Sequence, residues 1–146
     1  MYFAWGETQG YKYGEHDFTN ENYEHKDDRQ KLVNSSLILK PEYDAATVNW
    51  GPDWRMPTYE EIEALYMNTY AEPEIIDGVE CTRVTSMVEG YTDKSLFLKD
   101  GSYWSSRMNQ DSGDRHADIL TSQTGTLEYN FTDCYHGLLV HPVRNI

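Results

Sequence analysis

The stretch Asn49–Thr58, Asn-Trp-Gly-Pro-Asp-Trp-Arg-Met-Pro-Thr, restricts the fold more than any other part of the chain. Gly51 and Pro52 break whatever precedes them, and Pro57-Thr58 launches a helix. Thr58 and Glu61 stand at the Thr-x-x-Glu spacing of a capping box, which makes this helix start the best-determined boundary in the sequence. Trp50 and Trp54 can each bury about 150–250 Å². The stretch therefore reads as a core hub, with Trp104 pinning the same frame. Arg55, between Trp54 and Met56, is expected to stack on an indole or to pair with a buried carboxylate. No nucleophile–base pair occurs here, so the reading is structural rather than catalytic.

From that boundary a helix runs over Tyr59–Met67. Ile62, Leu65 and Tyr66 form its buried stripe, and Glu60, Glu61 and Glu63 favour its positive end. Residues 41–49 form a shorter helix, with Pro41 in its first turn and Glu42 and Asp44 near its start. Tyr2–Trp5 reads as a short strand that is already core, followed by a long loop. The charge run Glu24–Lys31 reads as solvated loop. Ala71–Gly78 is read as loop. After it the period becomes strand-like, over Cys81–Met87, Ser95–Lys99, Tyr103–Ser106, Arg115–Thr121, Thr126–Phe131 and Leu138–Arg144. Turn signals separate these runs at Glu89-Gly90, Asp100-Gly101, Ser112-Gly113-Asp114 and Thr124-Gly125. Helices first and short antiparallel strands afterwards make an α+β chain, a single domain over residues 1–146.

The net charge is -13, from Lys+Arg 12 against Asp+Glu 25. That lacks the basic footprint which nucleic acid or an anionic membrane surface requires. No long apolar run suggests membrane insertion. Tyrosine, at 12 residues, supplies contact area at small entropic cost and suits a recognition surface. Cys81 and Cys134 either pair or stay as buried thiols; with no CxxC or Cys/His cluster, neither a structural zinc nor another cofactor is expected. His16 and His25 read as surface histidines rather than metal ligands. Ser105, His116 and Asp118 spell a hydrolytic triad only in composition, without a nucleophile-elbow pattern. Asp111, Asp114 and Asp118 could gather a cation, but a solvated acidic loop explains them more simply.

Several segments together carry a family resemblance: Trp5-Gly6-Glu7-Thr8, Asp44-Ala45-Ala46, Asn49-Trp50-Gly51, Trp54-Arg55-Met56-Pro57-Thr58, Val84-Thr85-Ser86, Ser95-Leu96-Phe97-Leu98, Tyr103-Trp104-Ser105-Ser106 and Val140-His141-Pro142-Val143-Arg144. In this order they resemble the Fibrobacter succinogenes major paralogous domain, a family of Bacteroidetes and their phages, over nearly the whole chain. The resemblance implies a C-type lectin-like fold: two short helices followed by a twisted antiparallel sheet of short strands. It lies in the branch shared with formylglycine-generating enzymes and with variable proteins of diversity-generating retroelements. The chain departs from the family in three places. The strand usual before Trp-Gly-Glu is missing, so a shorter sheet edge or a strand from elsewhere must compensate. The insert before Tyr103 is short. Val140-His141-Pro142-Val143 stands where Val-Arg-Pro-Val is usual, which puts a titratable ring in place of a fixed charge.

Formylglycine-generating chemistry needs paired cysteines late in the chain, and only Cys134 is there. Calcium-dependent sugar binding needs a Glu-Pro-Asn loop, and Glu72-Pro73-Glu74 follows the second helix instead. The resemblance therefore implies a non-enzymatic module with its ligand face in residues 103–137. The candidate binding residues are Arg107, Asn109, Asp114, His116, Asp118, Tyr129, Phe131, Asp133, Tyr135 and His136. In retroelement-diversified relatives this region is rewritten by adenine-specific mutagenesis, which produces such mixtures of Tyr, Asp, His and Asn. The implied partner is a protein or glycan on a cell surface, and the implied setting is extracellular, on a bacterial surface or a phage virion. Homo-oligomerisation is left open. The alternative is a structural or interaction domain of a larger bacterial surface protein, without a dedicated ligand site.

Overall fold

In chain order the elements of this computed structural model are β1 (Tyr2–Phe3), α1 (Ala45–Trp50), β2 (Trp54–Arg55), α2 (Tyr59–Met67), β3 (Thr69–Ile76), β4 (Val79–Ser86), β5 (Ser95–Lys99), β6 (Gly101–Asn109), β7 (His116–Gln123), β8 (Thr126–Asp133), β9 (Leu138–Leu139) and β10 (Val143–Arg144). The structure describes residues 1–111 and 113–145, so Ser112 of the expected Ser112-Gly113-Asp114 turn lies outside the described residues. A five-stranded sheet has the order β1-β9-β6-β7-β8, a three-stranded one β3-β4-β5, and β10 pairs with β2. The mixture is α+β, mostly sheet with short helices. β9 lies between β1, antiparallel at Tyr2 and Leu139, and β6, parallel at Tyr103 and Leu139. The sheet edge at that end is the two-residue β1.

The helix expected over 41–49 divides at Asp44. Pro41–Tyr43 is a separate 3-10 turn. The Asp44 carboxylate caps α1 by accepting the N–H groups of Ala46 at 2.9 Å and Thr47 at 3.2 Å. It also accepts Met56 N–H at 3.0 Å, which ties α1 to β2. α2 has the expected bounds, and both halves of its capping box form: Glu61 N–H to Thr58 Oγ1 at 3.2 Å and Thr58 N–H to Glu61 Oε1 at 2.9 Å. Ile62 is buried as expected, but Tyr66 is exposed and packs on Tyr129 of β8 rather than in the core.

Ala71–Gly78 is not a loop. β3 and β4 form a hairpin whose turn is only Asp77-Gly78, with φ of 50° and 80°. Pro73 is tolerated because β3 is an edge strand. The strand expected over Leu138–Arg144 breaks at His141-Pro142 into β9 and β10, where proline has no N–H to give a ladder. β10 then pairs Val143 with Arg55 and Arg144 with Trp54.

The hub of the core is not the 49–58 stretch. Trp5 and Trp104 are both 0% exposed. Trp5 Nε1–H donates to the Ser105 carbonyl at 2.9 Å and Trp104 Nε1–H to the Phe3 carbonyl at 2.7 Å, so the two indoles stitch the N-terminal segment to β6 reciprocally. Trp50 is 47% exposed, and Trp54 is half-buried beneath Arg144. Met56 carries the burial of that stretch. Arg55 forms its direct ion pair with the half-exposed Glu61 at 2.6 Å, and its charge also favours the buried carboxylate of Asp44. A second cluster, with Ile62, Val84, Leu98, Tyr103, Leu120 and Leu127, packs α2 and the three-stranded sheet onto the larger one.

The charge run 24–31 is not wholly solvated. His25 is buried against the Gly6 carbonyl, at 3.2 Å from Nε2, and Leu32 just beyond the run is fully buried. Cys81 and Cys134 are both buried free thiols, and burial pushes Cys134 up to about 12.

Candidate functional site

The β7–β8 hairpin turns through Thr124 and Gly125, both at positive φ, 49° and 81°. Such a two-residue turn matches the twist of the strands and fixes register without slack. His116 therefore faces Asp133, Asp118 faces Phe131 and Leu120 faces Tyr129. Side chains alternate across a strand. Ala117 and Ile119 go into the core around Trp104, while His116, Asp118, Tyr129, Phe131 and Asp133 share the opposite face with Leu120 and Leu127. α2 covers the lower part of that face, and its upper part is open.

On the open part, Tyr129 meets Tyr59 and Tyr66 of α2 edge-on, with ring centroids 6.0 and 5.1 Å apart. Tyr129 and Phe131 are each 41% exposed. His116 lies 5.0 Å from the Phe131 ring, and its Nε2 is 3.1 Å from Asp133 Oδ1. His136 Nε2 approaches the other oxygen of the same carboxylate at 3.8 Å. The Arg107 guanidinium carbon sits 4.4 Å above the Tyr59 ring, and its Nε is 3.3 Å from Asp118 Oδ2.

Two expected contact residues prove to be floor rather than surface. Asn109 and Asp118 are both buried. Asn109 Nδ2–H donates to Asp118 Oδ1 at 2.8 Å, while Oδ2 has no hydrogen-bond partner. Burial pushes the Asp118 carboxyl above the usual carboxylate range, and Asn109 and Arg107 pull it back. The register irregularity in β6 between Trp104 and Met108 brings Asn109 over β7 in this way.

Asp114 and Tyr135 do not join the cluster. Asp114 is held by Arg29, whose Nε–H donates to its carbonyl at 2.8 Å and whose Nη2 lies 3.3 Å from its carboxylate. Tyr135 is half-buried against the core around Trp5. Tyr135 borders a neighbouring polar cavity of about 350 Å³ lined by Asn20, Arg29, Arg115, Asp133, Cys134 and Tyr135, so that Asp133 is shared between this cavity and the cluster. Tyr59 and Tyr66 belong to the cluster without having been singled out for it. Their spacing of seven residues on one helix face was the available signal.

Ser105 is fully buried, and its Oγ accepts the Arg107 N–H at 3.1 Å. Among the described residues no three His, Cys, Asp or Glu side chains are arranged to hold a metal ion, and no helix is long and apolar enough to cross a membrane. Compared with protein-family models, curated proteins and solved structures, the chain matches none.

Proposed function

We propose that this chain is a non-enzymatic recognition module of C-type lectin-like fold, a retroelement-diversified protein displayed on a bacterial surface or a phage virion. Two short helices preceding a run of antiparallel strands support the fold reading. The observation that carries the functional reading is the convergence of Arg107, His116, Tyr129, Phe131 and Asp133, from three adjacent strands, with Tyr59 and Tyr66 of α2. A partly exposed aromatic and charged surface on a stiff sheet, with a packed core on the reverse face, is suited to anchoring a macromolecular ligand. Its side chains can also vary without removing the core behind them, which suits a diversified site.

The test is retention of the labelled protein on intact bacterial cells and on glycan and surface-protein arrays. The wild type should be retained and the Tyr129→Ala, Phe131→Ala double variant lost. The variant should stay folded, losing two cross-strand pairs worth about 0.2–1 kcal/mol each and the edge-on contacts of Tyr129 with Tyr59 and Tyr66, worth about 0.5–1.5 kcal/mol each. Equal retention of both proteins would favour the alternative, an interaction domain without a dedicated site. The coding neighbourhood supplies a second test: a reverse transcriptase and a near-copy of the stretch encoding residues 103–137 belong to the diversified reading, and their absence removes that part of it.

A further inference from the structure

The outer edge of β8 is open along its second half. The two-residue turn makes Gln123 and Thr126 the closing pair of the hairpin. By alternation, Thr126, Glu128, Asn130 and Thr132 turn their backbone groups toward β7, whereas Leu127, Tyr129, Phe131 and Asp133 turn theirs away. The first of these is buried, and at that end Pro73 of β3 lies against Gly125. Among the described residues no strand pairs with the outer side of residues 129–133. The Phe131 N–H donates instead to Asn130 Oδ1 at 2.9 Å. A side chain thus occupies a donor that a neighbouring strand would take.

The surroundings specify what such a strand would carry. Glu128 and Asp133 lie on β8 itself, Glu60 and Glu63 stand on α2, and the chain carries a net charge of -13. The exposed rings of Tyr129 and Phe131 share a face with Asp133 and border α2, while Glu128 points to the other face of β8. Arg107, stacked on Tyr59 and paired with Asp118, is an internal example of a guanidinium held by a tyrosine and a carboxylate of this face.

We propose that an extended basic segment of a partner protein adds to the outer edge of β8 as a further strand. Its backbone bonds Tyr129 and Phe131, and its Lys or Arg side chains lie on those rings and pair with Asp133 on the same face and with the carboxylates of α2. The proposal rests on the recognition reading above and narrows its ligand to protein rather than glycan. A second copy of this chain is the poorer occupant, because it would set one charge of -13 against another.

The probe is an alternating Lys-Thr peptide as long as β8, 8 residues. The control is the same peptide N-methylated at every residue, which keeps the charge and loses every backbone donor. Titration should show the unmodified peptide binding about tenfold tighter, the worth of one or two net hydrogen bonds. It should also slow hydrogen exchange at the Tyr129 and Phe131 amides. Asn130→Ala removes the internal competitor and should tighten binding severalfold. Equal binding of the two peptides, protection elsewhere, or weaker binding by Asn130→Ala overturns strand addition. So does a dimer in sedimentation that protects the same amides without peptide. If the peptide fails while cell retention still depends on Tyr129 and Phe131, the basic strand is wrong and the recognition face stands. If retention fails as well, the recognition reading goes with it.

Discussion

The guanidinium carbon of Arg107 sits over the Tyr59 ring, 4.4 Å from its centroid, and ties β6 to the first turn of α2. Its Nε is held at the same time by the buried Asp118, so ring, cation and carboxylate form one unit in which each partner orients the next.

That unit should show energetic coupling. In a double-mutant cycle of Tyr59→Ala and Arg107→Ala, read by urea unfolding, the two losses should fall short of additivity by about 1 kcal/mol. Tyr59→Phe keeps the ring face and should retain most of the coupling, although it loses the hydrogen bond to Glu63. Strict additivity would mean that the stacking contributes nothing.

The tryptophans should separate sharply by substitution. Trp104→Ala removes a fully buried ring and orphans the Phe3 carbonyl, so it should cost about 3–5 kcal/mol for the ring alone. Against a typical total of about 5–15 kcal/mol, much of the stability would be gone. Trp50→Ala should cost less than about 1 kcal/mol, since its ring is nearly half exposed and meets Phe3 edge-on. Urea midpoints of the two variants give the comparison directly.

Glu61 supplies a pH dependence of known sign. Its hydrogen bond from Arg55 holds the carboxyl at about 2, against an ordinary 4.5. A depressed acid contributes stability that is complete above the unfolded value and is lost as pH falls toward the folded one. The melting-temperature difference between wild type and Glu61→Gln should therefore be largest at pH 5 and above and should shrink toward pH 2. Glutamine keeps the capping geometry, so the comparison isolates the charge. A difference that grows on acidification contradicts the assignment.

The β7–β8 turn allows one substitution to stabilise and its neighbour to disrupt. Thr124 is a β-branched residue at φ 49°, and Thr124→Asn should raise stability by a few tenths of a kcal/mol, because asparagine tolerates that region. Gly125→Ala should cost at least about 1–3 kcal/mol, since the new Cβ would meet the Pro73 backbone nitrogen at 2.4 Å and φ is +81°. Thermal unfolding of both variants checks the pair of signs.

What was legible in the sequence follows from how local each cause is. The bounds of α2 and β5 were readable because caps, turns and short-range periodicity set them. β3 was missed because Pro73 signals a loop unless the strand is known to be an edge, and edge position is a property of the whole sheet. Trp50 and Trp54 announced a capacity to bury area, but sequence does not say which indole finds a cavity. Trp5 and Trp104 did so because each has a carbonyl across the sheet to receive its N–H. Most of the candidate face was legible as polar and aromatic letters in alternating strands. Asn109 and Asp118 were misjudged as surface because the irregularity in β6 is invisible to simple alternation. Tyr66 was misjudged as core because its partner, Tyr129, comes from a strand far along the chain.

The insertion of β9 between β1 and β6 has a kinetic meaning. The central ladder is incomplete until Leu139 arrives, although both of its flanking strands have been synthesised long before. The loop-closure entropy of that final step is met late, so refolding should fall in the millisecond-to-second range of topologies dominated by distant pairings. On the ribosome, the β1 and β6 edges stand unsatisfied until Leu138 and Leu139 emerge. That interval is when this chain is most exposed to pairing with the wrong neighbour.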